Sequence, residues 1–134
     1  MMHSRSRSLC IAAAAFSALA CSSSDKCIPL PLSPGGPPVV YEPPVIVGVS
    51  DSVSGKPIAD SASGTLYTSS ASDSLRHWYP QDSVLAGDLG PGWFTVTVHH
   101  PGYLTWVRNN VIVKTNVCGA AVTVYLTARL QRGP

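Results

Sequence analysis

Side chains able to carry acid–base or metal chemistry are few and scattered along the chain. Beyond the first twenty residues the histidines are His77, His99 and His100, and the only glutamate is Glu42. His99 and His100 are adjacent near the end of an alternating run, so their side chains should point to opposite faces and cannot easily share a metal ion. No H-E-x-x-H or G-x-S-x-G pattern occurs. We therefore expect no catalytic residue, no metal site and no cofactor, and predict that the protein is not an enzyme.

Most aspartates fall in or near segments that favour turns. A carboxylate at such a position accepts hydrogen bonds from the nearby backbone. A calcium site built from two of these residues is an alternative, but turn capping is favoured. The residues are Asp51, Asp60, Asp73, Asp82 and Asp88.

The first twenty-one residues have the pattern of an export signal. Arg5 and Arg7 precede a twelve-residue apolar run from Leu9 to Ala20 that ends in small side chains. A positive start, a short apolar middle and small terminal residues are typical of a secretory signal. The run is too short for a membrane span, which needs about 20 apolar residues. Residues 1–20 are therefore predicted to be a signal peptide.

The end of this segment resembles a known processing site. Residues 18–21 (Ala-Leu-Ala-Cys) resemble the bacterial lipobox, in which the cysteine receives diacylglycerol before cleavage. The resemblance implies a lipoprotein anchored in the cell envelope by acyl chains on Cys21. Ser22 after that cysteine is similar to the type sorted to the outer membrane, if the cell has two membranes. The alternative is an ordinary signal cut near Ala20, with Cys21 free or disulfide-bonded.

Two cysteines remain once Cys10 of the signal and Cys21 are set aside. Export places the mature chain where disulfides persist. Parity favours one intrachain bridge between Cys27 and Cys118. The alternatives are two free thiols or an intermolecular bridge.

Composition divides the mature chain into a lead and a domain. Residues 21–44 hold the lipidated cysteine and seven of the twelve prolines, which favours extended polyproline II and a semi-rigid spacer. Residues 45–131 contain six or seven short β-type runs separated by turn residues, with no sustained helical period. The clearest run is 93–99, in which Phe94, Val96 and Val98 share one face. This pattern predicts an all-β domain, an antiparallel β-sandwich of seven strands.

Three segments of the domain resemble carboxypeptidase regulatory-like domains, which are transthyretin-like (prealbumin-like) β-sandwiches. They are Val45 to Ala59 (VIVGVSDSVSGKPIA), Gly90 to Val98 (GPGWFTVTV) and His100 to Tyr103 (HPGY). The resemblance implies a seven-stranded sandwich and no enzyme, since this module accompanies metallocarboxypeptidases without supplying their zinc site. Tyr103 is expected to pack at the sandwich edge, with its hydroxyl reaching backbone or water.

Charge and aromatic residues limit the classes of partner. Nine Lys and Arg minus the two in the signal leave seven, against seven Asp and Glu, so nucleic-acid binding is not expected. The first hypothesis is a membrane-anchored, non-catalytic module with a structural or protein-binding role in the envelope. The alternative is a carbohydrate-binding module that uses exposed tryptophans, for which the candidates are Trp78, Trp93 and Trp106.

Overall fold

The computed structural model describes residues 41–78 and 81–134. The predicted signal peptide, the predicted lipidation site Cys21, Cys27 and the lead as far as residue 40 lie outside the described residues. Within the described ranges the chain forms seven strands and one short 3-10 helix, Ala59–Ser61. None of the helical structure described there is long and apolar enough to cross a membrane. The strands are β1 (Val45–Asp51), β2 (Ser63–Tyr67), β3 (Ser72–Trp78), β4 (Gln81–Gly87), β5 (Gly92–His99), β6 (Trp106–Val113) and β7 (Val124–Leu130).

The strands form one sheet with the order β6-β5-β2-β3-β4-β1-β7. The two outer strands, β6 and β7, also approach each other, so the sheet is nearly barrel-shaped. The all-β class and the seven strands are confirmed, but the prediction of a purely antiparallel arrangement is wrong because β1 and β7 run parallel. Strands joined by short turns must run antiparallel. β1 and β7 lie at opposite ends of the domain sequence, and no turn fixes their relative direction.

Strand alternation builds the core as the sequence predicts. The side chains of Phe94, Val96 and Val98 are buried on the inner face of β5, while Trp93 on the other face is exposed. In a strand, successive side chains point to opposite faces of the sheet, so every second apolar residue reaches the interior. The same spacing buries Val45, Val47 and Val49 of β1 at the centre of the core.

Strand β6 is continuous from Trp106 to Val113. The apolar runs Leu104 to Val107 and Val111 to Val113 contribute to this one strand, with three polar residues between them. A β-bulge absorbs the polar residues between them, since the register with β5 shifts between Phe94 and Val96. At the start of the domain, Pro43 and Pro44 are buried. The described end of the proline-rich lead therefore packs on the sheet.

Candidate binding surface

The sheet has two ends, which we call the entry end and the far end. At the entry end β1 begins, where Val45 pairs with Gly87 of β4 and with Val124 of β7. From β4 the antiparallel pairs run through β3 and β2 to β5, so β5 also begins at this end. β6 ends there, because Val113 pairs with Gly92. The connection from β6 to β7, residues 114–123, therefore lies at the entry end as well.

Exposed apolar side chains are concentrated at the entry end. Of the ten large hydrophobic residues exposed in the described part of the chain, six lie there on strands or on the β6–β7 connection, and Tyr41, which precedes β1, contacts Asp88 at the same end. Scattered single apolar residues are normal on a protein surface, whereas a cluster at one end indicates an interaction site. We call these six residues the apolar rim: Tyr67, Trp93, Ile112, Val117, Val122 and Tyr125.

Trp93 lies at the centre of three adjoining strands of the rim. Its indole is on the outer face of β5 and is 65% exposed. Ile112 is its direct partner on β6. Tyr67 of β2 pairs with Thr95, which puts Tyr67 diagonal to Trp93, within reach of an aromatic side chain. Three strands thus present one contiguous apolar surface.

A shallow groove of about 270 Å³ adjoins this surface. One wall is the β2–β3 turn, where the hydroxyl oxygen of Thr68 accepts hydrogen bonds from the backbone N–H groups of Ser70 (3.1 Å) and Ala71 (2.9 Å). The turn is therefore held by its own side chain. None of the residues lining the groove is charged: Tyr67, Thr68, Ser69, Trp93, Phe94, Thr95 and Asn110.

Asn110 enters the groove because of the β6 bulge. Its φ of 58° lies in the left-handed region, which Asn tolerates better than most residues other than glycine. Its neighbour Asn109 accepts a hydrogen bond of 3.2 Å from the hydroxyl of Thr95 through Oδ1. Bulges re-aim side chains in this way. Sequence reasoning missed Asn110, although the Asn109-Asn110 pair inside an apolar run indicates an irregular strand.

The β6–β7 connection is a tight hairpin with an apolar tip. Thr115 and Ala121 form an isolated bridge across it. The side-chain oxygen of Asn116 accepts hydrogen bonds from the backbone N–H groups of Cys118 (2.9 Å) and Ala120 (3.0 Å). Val117, 80% exposed, is thereby presented at the tip beside Cys118. Cys27, its predicted disulfide partner, lies outside the described residues.

The structure does not bring the three candidate tryptophans together. Trp78 is half-buried on β3, with its ring centroid 6.3 Å from that of Tyr41. Trp106 is half-buried, pairs with Val98 at the far end, and packs against the core. Trp93 is the exposed member of the three. The described residues therefore hold one exposed tryptophan surface and no shared tryptophan platform.

At the far end a buried carboxylate joins three segments of the chain. Asp51 is 3% exposed, and its Oδ1 accepts hydrogen bonds from the backbone N–H groups of Val53 (2.9 Å) and Ser54 (2.7 Å). Its Oδ2 accepts from the Tyr103 hydroxyl at 2.8 Å and from Nε of Arg132 at 3.2 Å. The Ser54 backbone bond and the Tyr103 bond hold the pKa of Asp51 well below its usual range. Turn capping is confirmed for Asp51, but the expectation that the Tyr103 hydroxyl reaches backbone or water is wrong.

Another hollow, of about 490 Å³, is lined by Asp60, His77 and Ser83 together with Pro57 and Ala59. No hydrogen bond joins His77 to Asp60 or to Ser83 in the described structure. A nucleophile and its base require such contact in the reacting complex. The hollow, as described, is lined by uncoupled polar groups.

Comparison with known proteins gives no further indication of what these surfaces do. No protein-family model matches this chain, and no curated protein matches it.

Proposed function

We propose that this protein is an exported, lipid-anchored lipoprotein of the cell envelope whose β domain is a non-catalytic module with a structural or protein-binding role. The lipobox-like segment ending at Cys21 supports the anchor. The observation that carries the binding role is the apolar rim, centred on Trp93. A rim of this kind is costly to leave in water unless something covers it.

We also propose that the domain is of the carboxypeptidase regulatory-like, transthyretin-like type. Two of the three segments behind that resemblance meet at one place, because Asp51 of the first contacts Tyr103 of the third. The backbone conformation of the turn after β1 also supports the resemblance. Gly55 has a φ of 70°, and Pro57 returns to bridge Ser50.

The anchor is tested by fractionating cells that make the wild-type protein or Cys21→Ser. Acylation predicts that the wild type is in the membrane fraction and incorporates labelled fatty acid, and that the variant does neither. Cys27→Ser is the matched control, because it also removes an exported cysteine but should keep the label. An unlabelled wild type would overturn the lipoprotein proposal.

Carbohydrate binding is a second candidate, with one observation in its favour. The groove beside Trp93 combines an exposed indole with uncharged hydroxyl and amide groups, which suits stacking and hydrogen bonding to a neutral sugar. A glycan array with wild type and Trp93→Leu tests it. The leucine keeps apolar bulk but removes the ring face, so sugar binding should be lost, whereas an apolar protein contact should be partly kept.

A further inference from the structure

We infer that the apolar rim is a membrane-docking surface, and that the anchored domain rests with its entry end on the lipid bilayer. Such docking depends on the proposed lipid anchor at Cys21, and it assigns the rim to a lipid surface rather than to a protein partner. The partner is a lipid surface, whose apolar interior and wet interface suit valine and isoleucine together with tryptophan and tyrosine.

The distribution of the rim favours a flat partner. Its members lie on β2, β5 and β6, on the β6–β7 hairpin and on β7, which are neighbouring parts of the sheet, so they form one arc at the entry end. A sugar in the groove would touch Trp93 and Tyr67 but would leave Val117, Val122 and Tyr125 in water. A flat partner laid along this arc is adjacent to all of these segments, whereas a ligand the size of the groove is not.

The chemistry of the rim also suits an interface. Tryptophan and tyrosine have an apolar ring and a polar atom, and they concentrate where membrane meets water. The Tyr125 hydroxyl donates to the carboxylate of Glu42, so an acidic group near the rim is already hydrogen-bonded. At the tip of the hairpin, Val117 is an exposed apolar residue on a backbone held by the Asn116 side chain.

With the predicted disulfide, chain length would place the lipid near this end. β1 begins at the entry end, and the backbone N–H of Val124 there donates to the carbonyl of Pro44 at 2.8 Å. If Cys27 is bridged to Cys118 on the hairpin, five residues, 22–26, separate the lipidated cysteine from the entry end. Five extended residues reach about 17 Å. Acyl chains inserted in the bilayer would then hold the rim close to its surface.

The test uses the full-length lipidated protein in vesicles of phosphatidylethanolamine and phosphatidylglycerol that contain lipids brominated on the acyl chain. These lipids quench an indole only when it is inserted. We expect quenching in the wild type and most of it to be lost in Trp93→Phe, which removes the exposed indole and leaves Trp78 and Trp106. Because Trp93 is mainly exposed, this change should leave the fold intact, as circular dichroism would show.

A matched pair on β6 separates docking from a general loss of structure. Ile112 is at the entry end, whereas Val107 lies on the same strand toward the far end, and both are exposed. Ile112→Asp should reduce quenching several-fold, because a carboxylate is costly in the interface, and Val107→Asp should leave it unchanged. Equal effects from the two variants would overturn the docking.

Failure of the docking differs from failure of the anchor. Protein that floats with the vesicles without quenching of Trp93 would overturn the docking and leave the lipid anchor intact. Protein that does not float would overturn the anchor, and with it the docking. Binding of Trp93 to a sugar or to a purified envelope protein, without quenching, would also overturn the docking.

Discussion

The hydroxyl of Tyr103 donates a hydrogen bond of 2.8 Å to Oδ2 of Asp51, 52 residues earlier in the chain. Arg132, near the end of the chain, reaches the same oxygen and lies with its guanidinium carbon 6.0 Å from the centre of the Tyr103 ring. One buried carboxylate therefore ties the turn after β1, the segment after β5 and the residues after β7. The contact also raises the pKa of Tyr103, because the hydroxyl must stay protonated to donate.

Removal of the Tyr103 hydroxyl should show how much its hydrogen bond to Asp51 stabilises the fold. Tyr103→Phe keeps the ring but leaves Oδ2 of Asp51 without its shorter hydrogen bond. We expect the melting temperature to fall by roughly 5 °C, because hydrogen bonds to charged groups are among the stronger ones. Tyr67→Phe is the control, since it removes a hydroxyl from an exposed tyrosine, and it should change the melting temperature by about a degree or less. A Tyr103→Phe protein as stable as the control would contradict the tie.

The free energy of unfolding should decrease at acid pH because of the same carboxylate. An aspartate has a pKa near 3.9 in an unfolded chain, and that of Asp51 is lower in the folded protein. Its contribution to stability is therefore complete above about pH 4 and is lost as the pH falls below that value. Denaturant midpoints measured between about pH 6 and pH 2 should fall steeply for the wild type and less for Asp51→Asn. Parallel curves would show that other groups govern acid unfolding.

The inner and outer faces of single strands could be predicted because alternation is local. Phe94 and Trp93 are adjacent, and their opposite exposure follows from strand geometry alone. The Asp51–Tyr103 contact could not be predicted from either segment, since it depends on how the strands pair. The pairing of β1 with β7 and the bulge at Asn110 depend on the same long-range register.

For the same reason, the candidate binding surface could be predicted only in part from the sequence. Alternation along β5 and β7 puts Trp93 and Tyr125 on the outer face of the sheet, and both are exposed. These two residues lie at the same end as Tyr67, Ile112 and Val117 because of the strand order, which no local pattern specifies. Trp78 and Trp106 are large aromatic residues of the same type, but Tyr41 and the core cover them in part.

Close packing around Gly64 predicts a strong effect from one methyl group. A Cβ added there would lie 2.5 Å from the carbonyl oxygen of Thr97 and 2.6 Å from Cδ1 of Leu75. Backbone cannot move aside easily, so Gly64→Ala should reduce the free energy of unfolding by about 1–3 kcal/mol. Gly90→Ala is the matched control, because nothing lies within 4 Å of its Cβ position, and it should change stability by less than about 1 kcal/mol. Similar urea midpoints for the two variants would contradict this account of Gly64.

A bridge between Cys27 and Cys118 should stabilise the domain strongly. It would close a loop of about 90 residues, and loop-closure entropy then contributes up to about 4–5 kcal/mol, less any strain. Alkylation of the unreduced, denatured Cys21→Ser protein without its signal should add no mass, and alkylation after reduction should add two labels. Reduction should also lower the urea midpoint of this protein and leave that of a Cys27→Ser, Cys118→Ser double variant unchanged. Two labels without reduction would rule out the bridge, and a dimer that reduction separates would indicate that the cysteines pair between chains.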